Sequence, residues 1–249
     1  LILPRGPSSL RRAIGTSALL AALLVCCRRP SATGTLANAP TLDAGAVANG
    51  RAYAGRRVAP TMGFEGAEWL DRPEREESEQ PEKVLDALAI PPGATVADVG
   101  AGTGYFTLRL ARRVGPEGHV LATDIEPRML GVLAERAAAR HLANIETRVV
   151  TSQDPRLDPS SLDLVLMVDV YHELADPREE LTAVKRALRP GGRLVLVEYR
   201  GEDPAVQIKP EHKMTRAQIE AEVLPAGFRE LEDLEFLRDQ RVMVFVAAA

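Results

Sequence analysis

One stretch constrains this chain more than any other: Val96-Ala97-Asp98-Val99-Gly100-Ala101-Gly102-Thr103-Gly104-Tyr105-Phe106. A β-branched run closes on an acid, alternate glycines follow, and an apolar helical pattern starts behind them, which is the order strand, loop, helix. Without Cβ atoms the loop reaches positive φ and lets a ligand lie on bare backbone, with the N–H groups of the next helix's first turn aimed at it. A ligand carrying a carboxylate or a polyol is expected there. The spacing is G-x-G-x-G, with Tyr105 where a dinucleotide fingerprint needs its third glycine, which argues against a nicotinamide dinucleotide.

The 249 residues suffice for one α/β domain with its own core plus an N-terminal extension. A net charge of −4 gives no basic footprint for phosphates, so nucleic acid is not an expected partner. The two cysteines, Cys26 and Cys27, are adjacent in an apolar run, which leaves no disulfide framework or thiolate chemistry downstream. The four histidines, His119, His141, His172 and His212, lack metal-ligand spacing, and no metal is expected.

The N-terminus reads as a leader over residues 1–30. Arg5, Arg11 and Arg12 precede an apolar stretch, Ala13 to Cys27, and Arg28-Arg29-Pro30 closes it. The stretch is shorter than the ~20 residues of a bilayer span, which favours a cleaved or lipid-anchored leader over a permanent helix. Leu24-Val25-Cys26-Cys27 resembles a lipobox. An envelope location follows, with membrane attachment through the leader alone. The chain opens on Leu1, so the competing expectation is a start placed upstream of the true one and a cytoplasmic protein. Ser31 to Arg57, rich in Ala, Gly, Thr and Pro, reads as a disordered linker, and residues 58–249 as the domain.

Within the domain, Val84, Leu85, Leu88 and Ile90 stripe a helix that starts at Pro81 and ends before Pro91-Pro92-Gly93. Strands follow at Thr95–Val99, His119–Thr123, Ile145–Val150 and Leu162–Val168, with helices at Tyr105–Val114 and Pro127–Ala139 between them. The near-continuous apolar run at Leu162–Val168 suits a strand buried on both faces. Asp176-Pro177-x-Glu179 opens a helix running to about Leu188, and Thr215-x-x-Gln218 is a capping box for another. Phe228–Leu234 and Val242–Val246 supply the last strands. Asp124, roughly 20 residues past the glycine loop at the end of the second strand, is placed to accept hydrogen bonds from both hydroxyls of a ribose. Its alternative is to cap the helix Pro127–Ala139.

Asp98-x-Gly100-x-Gly102-x-Gly104, Asp124, and Arg186-Ala187-Leu188-Arg189-Pro190-Gly191-Gly192-Arg193, read as a helix end and a Pro-Gly-Gly turn before the fifth strand, together resemble class I S-adenosylmethionine-dependent methyltransferases. The resemblance covers roughly Glu82 to Val246 and implies a doubly wound, seven-stranded α/β sheet whose last strand is antiparallel. It implies S-adenosylmethionine as cofactor and a small-molecule methyl acceptor, with Asp98, Gly100, Ala101, Gly102, Thr103, Gly104, Asp124, Ile125, Ser152, Gln153, Asp154, Val168 and Asp169 at the cofactor. Asp154 is the first choice for the adenine amino group, with Ser152 and Gln153 beside it. Tyr171, His172 and Glu173 are the candidate catalytic groups, and His172 is the best base because its ordinary pKa lies near neutrality. Its alternative is a packing role. The segment with Phe64 and the only Trp, Trp69, is a lid over the cofactor or an apolar anchor for the extension. Lys209, His212 and Lys213, in the long loop after the fifth strand, are either acceptor contacts or a solvated cluster. Two other functions stay open: a non-catalytic S-adenosylmethionine-binding module and a dinucleotide-dependent oxidoreductase.

Overall fold

The computed structural model describes residues 51–152 and 154–248. Residues 1–30 with Cys26 and Cys27, most of the linker, and Gln153 lie outside the described residues. The last linker residues are ordered by pairing: β1 (Ala52–Tyr53) and β2 (Arg56–Arg57) form a small antiparallel hairpin. Short helices follow at α1 (Ala67–Leu70) and α2 (Arg75–Ser78), then α3 (Pro81–Ala87), which has Pro at its first turn. Next come β3 (Thr95–Val99), α4 (Thr107–Val114), β4 (His119–Asp124), α5 (Pro127–Ala139), β5 (Ile145–Val149) and β6 (Leu162–Val168). The chain closes with α6 (Pro177–Ala187), β7 (Leu188–Tyr199), α7 (Arg216–Val223), β8 (Phe228–Leu234) and β9 (Gln240–Ala247).

The larger sheet has seven strands in the order β5-β4-β3-β6-β7-β9-β8. It is parallel from β5 to β7, and β9 runs antiparallel to both β7 and β8, as the motif pattern implies. The strand period of two sorts the core. Ala97, Val99, Val165, Met167, Leu194 and Leu196 meet α6 and α7 on one face, while Val96, Leu164, Leu166, Val195 and Val197 meet α3 and α4 on the other. Because both faces are covered, β6 needs the unbroken apolar run it has.

The Pro-Gly-Gly segment differs from expectation. The helix stops at Ala187, and Leu188 already pairs with Leu162, so Arg189 to Gly192 form a bulge inside β7 before pairing resumes at Leu164 and Arg193. Gly191 takes φ +82° there, and a Cβ at Gly192 would lie 3.0 Å from two carbonyl oxygens. The strand is therefore longer than the apolar run, and glycine is required inside it. Among the described residues no helix is long and apolar enough to cross a membrane.

The N-terminal hairpin is held by charge. Arg56, 7% exposed, donates from Nε and Nη2 to the two carboxylate oxygens of Glu222 on α7 at 2.7 and 3.1 Å, and from Nη1 to the carbonyl of His172 at 3.0 Å. The His172 carbonyl also accepts from the Ala59 N–H at 3.1 Å. Removing one partner of such a pair strands a buried charge. Arg56→Met is expected to lower stability by about 3–5 kcal/mol in urea melts, and Arg56→Met/Glu222→Leu to recover most of it; a double variant no better than the single would assign the loss to packing of the hairpin.

Candidate functional site

In an open parallel sheet the connections leaving adjacent strands on opposite faces part at the strands' carboxyl ends, and β3 and β6 are such a pair. A cavity of about 430 Å³ opens there, within the usual range for small-molecule sites. Gly100, Gly102, Asp124, Ile125, Ser152, Val168, Asp169, His172 and Glu173 line it. Asp98, Ala101 and Thr103 line an adjoining crevice that shares Gly100, Gly102 and Val168 with the cavity.

The loop's bare backbone is a requirement of packing. Gly100 takes φ +71°, and a Cβ on it would fall 2.4 Å from Val170 Cγ2; Gly102 takes φ +53°, with Leu70 Cδ1 at 2.8 Å. Gly104 takes φ +87°, its Cβ would strike Leu133 Cδ1 at 2.2 Å, and it lines neither space.

Asp98, buried at the end of β3, accepts from Thr107 Oγ1 at 2.6 Å. Burial pushes its carboxyl up to about 7, with the Asp124 charge adding to this against the Thr107 bond and Arg75. Asp124 does not cap α5. Glu126 does so, accepting from the Arg128 N–H at 3.1 Å, while Asp124 accepts from the N–H groups of Gly102 and Glu126, each at 2.8 Å. A carboxylate so held keeps lone pairs for the cavity it lines. Burial raises its pKa, with backbone hydrogen bonds from Glu126, Gly102 and Ile125 pulling the other way.

At the adenine end expected from the motif, Ser152 faces the cavity, while Asp154 is not among the lining residues and turns back on Thr151. An acid that does face it is Glu180 of α6, 7% exposed, with Oε1 unpartnered among the described residues. Burial, with the Asp154 charge added, pushes its carboxyl up to about 7. A helix position inside an ordinary amphipathic pattern gives no sign of this.

Arg75 is the second residue that the linear pattern hides. It stands in the strongly charged segment Asp71 to Glu82, yet it is 4% exposed and lines both spaces beside the glycine loop. Its guanidinium stacks over Tyr105 at 4.0 Å, donates to Glu79 Oε2 at 2.8 Å and to the Leu70 carbonyl at 2.6 Å. Trp69 also lines the cavity, with Arg72 stacked on its ring at 3.7 Å, so this segment forms a wall of the site.

The opposite wall holds the candidate catalytic groups. Tyr171 points away, fully buried in the core beneath Arg56. His172 is 2% exposed and bonds through Nδ1 to Glu198 Oε2 at 2.6 Å, while its Nε2 lies 3.1 Å from His212 Nδ1. Burial pulls the His172 imidazole down, but the Glu198 charge and hydrogen bond outweigh it and hold it above the ordinary histidine value. Glu173 accepts from the Met62 N–H at 3.3 Å, and burial raises its carboxyl to about 7. Lys209 and His212 line the cavity, whereas Lys213 bonds the carbonyls of Asp203 and Val206.

Residues 90–237 match the family described as a methyltransferase domain. The chain is 32% identical over 108 residues to an arsenite methyltransferase of Halobacterium salinarum, covering 43% of this chain and 28% of that protein. It is 40% identical over 124 residues to an uncharacterized methyltransferase of Mycobacterium tuberculosis, covering 50% of this chain and 47% of that protein. The chain thus spans less than half the length of these curated relatives. A crystal structure of an S-adenosylmethionine-dependent methyltransferase from Aquifex aeolicus superposes with a TM-score of 0.70 at 26% identity, covering 74% of this chain and 98% of that one.

The Glu180 carboxyl gives the fold a pH signature. Below about 4.5 it is neutral folded or unfolded; between 4.5 and about 7 the unfolded chain sheds the proton that the folded chain keeps, so stability falls as pH rises, and the loss is complete above 7. The shift corresponds to a loss of up to roughly 3 kcal/mol. Glu180→Gln is expected to match the wild type in urea melts near pH 4 and exceed it by up to about 3 kcal/mol at pH 8.5; a gap that stays constant with pH would show that the carboxyl is not held protonated.

Proposed function

This chain belongs to the methyltransferase domain family, with the fold of the class I S-adenosylmethionine-dependent enzymes, and from that premise we propose that the protein transfers a methyl group to a small acceptor held in the cavity. The observation that carries the reading is the joined pair of Asp124 and the bare Gly100–Gly102 backbone, opening on one cavity.

The residues fit the cofactor end to end. Asp124 offers a carboxylate to the ribose diol, and the glycine loop gives the methionine portion a surface without Cβ atoms. Arg75 supplies a buried cation for the amino acid's carboxylate, and Asp98 an acid for its ammonium. Ser152 and Glu180 offer polar atoms at the adenine end, where Glu180 Oε1 waits for a donor. When bound, S-adenosylmethionine supplies an electrophilic methyl on a sulfonium.

The chain's own part is alignment, exclusion of water and handling of one proton. Met62, Trp69, Leu174 and Ile208 wall the cavity with apolar surface. Glu198 fixes the His172 ring by Nδ1, which leaves the Nε2 electron pair, 3.1 Å from His212 Nδ1, as a proton acceptor in the cavity wall. This dyad favours a transferase over a passive binding module. The basic start and the Ala13–Cys27 run support an envelope location for the protein, which membrane fractionation with and without Cys26→Ser/Cys27→Ser tests.

Calorimetric titration of the purified chain with S-adenosylmethionine, S-adenosylhomocysteine and NAD tests the cofactor assignment. Asp124→Ala is expected to weaken the first two by about 1–3 kcal/mol through lost charge-assisted hydrogen bonds. Unchanged affinity would remove Asp124 from the ribose, and tight NAD binding would replace the reading with the oxidoreductase one.

A further inference from the structure

Three side chains at the acceptor wall converge on a point that holds no protein atom of theirs. His172 comes from the turn after β6, Glu173 from the next position, and His212 from the long loop between β7 and α7. His172 Nε2 and His212 Nδ1 are 3.1 Å apart, and Glu173 Oε1 lies 3.9 Å from the first and 4.0 Å from the second. The nearest point equidistant from these three atoms, in their common plane, is about 2.1 Å from each, which is the length of a zinc–imidazole or zinc–carboxylate bond. We propose that His172, Glu173 and His212 form a binding site for a divalent transition-metal cation of the zinc class.

The chemistry of the donor set supports this over the simpler hydrogen bond between the rings. A shared proton would satisfy the two nitrogens but leave Glu173 Oε1 outside hydrogen-bond reach of both. A cation at the common point engages all three donors and satisfies the carboxylate as well. The rings meet edge to face, 77° between planes, so their electron pairs converge without the rings stacking. Glu198, fully buried, takes the other nitrogen of His172 at 2.6 Å, the carboxylate–histidine arrangement that orients a metal-bound imidazole and raises its basicity. Two imidazoles and one carboxylate suit zinc, iron, nickel or cobalt and disfavour magnesium, which demands oxygen donors. Three protein ligands leave a position open toward the cavity, the pattern of a site that also binds a substrate atom. The metal and a proton compete for the same Nε2 electron pair, so a loaded site makes His172 a ligand and selects acceptors bearing an oxygen, nitrogen or sulfur donor.

The site stands on these side chains alone and needs no cofactor, so it is separable from the methyl-transfer reading. The test is equilibrium dialysis of the full chain, carrying Cys26→Ser/Cys27→Ser to remove the thiols, against Zn²⁺ with metal analysis. One equivalent bound at micromolar free Zn²⁺ is expected, with Mg²⁺ not competing. His212→Ala, at the more exposed ligand, is expected to weaken binding at least 100-fold, Glu198→Gln by about 10–100-fold through lost orientation of His172, and His141→Ala not at all. No retained zinc, or zinc held as tightly by folded His212→Ala, overturns the site. Asp124→Ala, which addresses the cofactor reading, is expected to keep its zinc; a chain that binds zinc but not S-adenosylmethionine would retain this inference and lose the other.

Discussion

The buried carboxylate of Glu198 is the interaction on which the histidine-bearing half of the cavity, proposed above for the acceptor, depends. It sits near the end of β7, accepts the Tyr171 N–H at 2.8 Å and the His172 Nδ1–H at 2.6 Å, and so ties the turn after β6 to the neighbouring strand. That turn then organises two segments far off in sequence. The His172 carbonyl receives Arg56 and the Ala59 N–H, which seats the N-terminal arm, and the His172 ring meets His212, which seats the long loop. A carboxylate this deeply buried is tolerable only with its hydrogen bonds made, so the geometry of the turn is set by the cost of leaving them unmade.

The two halves of the cavity were legible to different degrees, for a physical reason. The half proposed for the cofactor is built from residues adjacent in the chain: an acid ending one strand, glycines where the backbone turns, an acid ending the next strand. Each role is imposed by local backbone geometry and leaves a mark in the local pattern. The acceptor half is built by convergence. His172 and His212 stand 40 positions apart and meet only because the loop folds back across the strand ends. Their spacing reads as no ligand set at all. Arg75 and Glu180 were hidden likewise, since a buried arginine in a run of charges and a buried acid on an amphipathic helix look like solvated residues until the opposing element is in place. The Pro-Gly-Gly segment was seen but read as a turn, because a bulge within a strand carries the same glycines as a turn before one.

Beneath the cavity lies a second polar layer. Glu79, 1% exposed, accepts from Arg75 Nε, Arg72 Nη2 and the Tyr199 hydroxyl, and so connects α2 to the end of β7. Asp169, at the end of β6, takes φ +53° and accepts both hydrogen bonds of the Gln240 amide at 3.0 and 2.8 Å. Burial, together with the charges of Glu79 and Glu198, holds its carboxyl well above the usual range. An excess of carboxyl over guanidinium groups in this layer suits a cationic guest, the charge type of the cofactor proposed above.

The location of strain and unmet hydrogen bonds carries the argument further. The sheet's two faces are packed with aliphatic side chains that need nothing more. Around the cavity the accounting is different: Asp169 holds a left-handed backbone conformation without being glycine, Glu180 Oε1 lacks a partner among the described residues, and the Asp98 carboxyl is buried to the point of holding its proton near neutrality. Strain of this kind persists only when the surroundings over-determine it, and it costs of order 1–3 kcal/mol at a residue such as Asp169. A guest bringing donors and positive charge meets these needs in the folded state and has nothing equivalent to meet in the unfolded chain. Its binding therefore stabilises the fold by mass action, and the rigid sheet keeps the relief local to the strand ends. At the cavity, the unpartnered Glu180 Oε1 and the strained Asp169 stand where a guest can reach them.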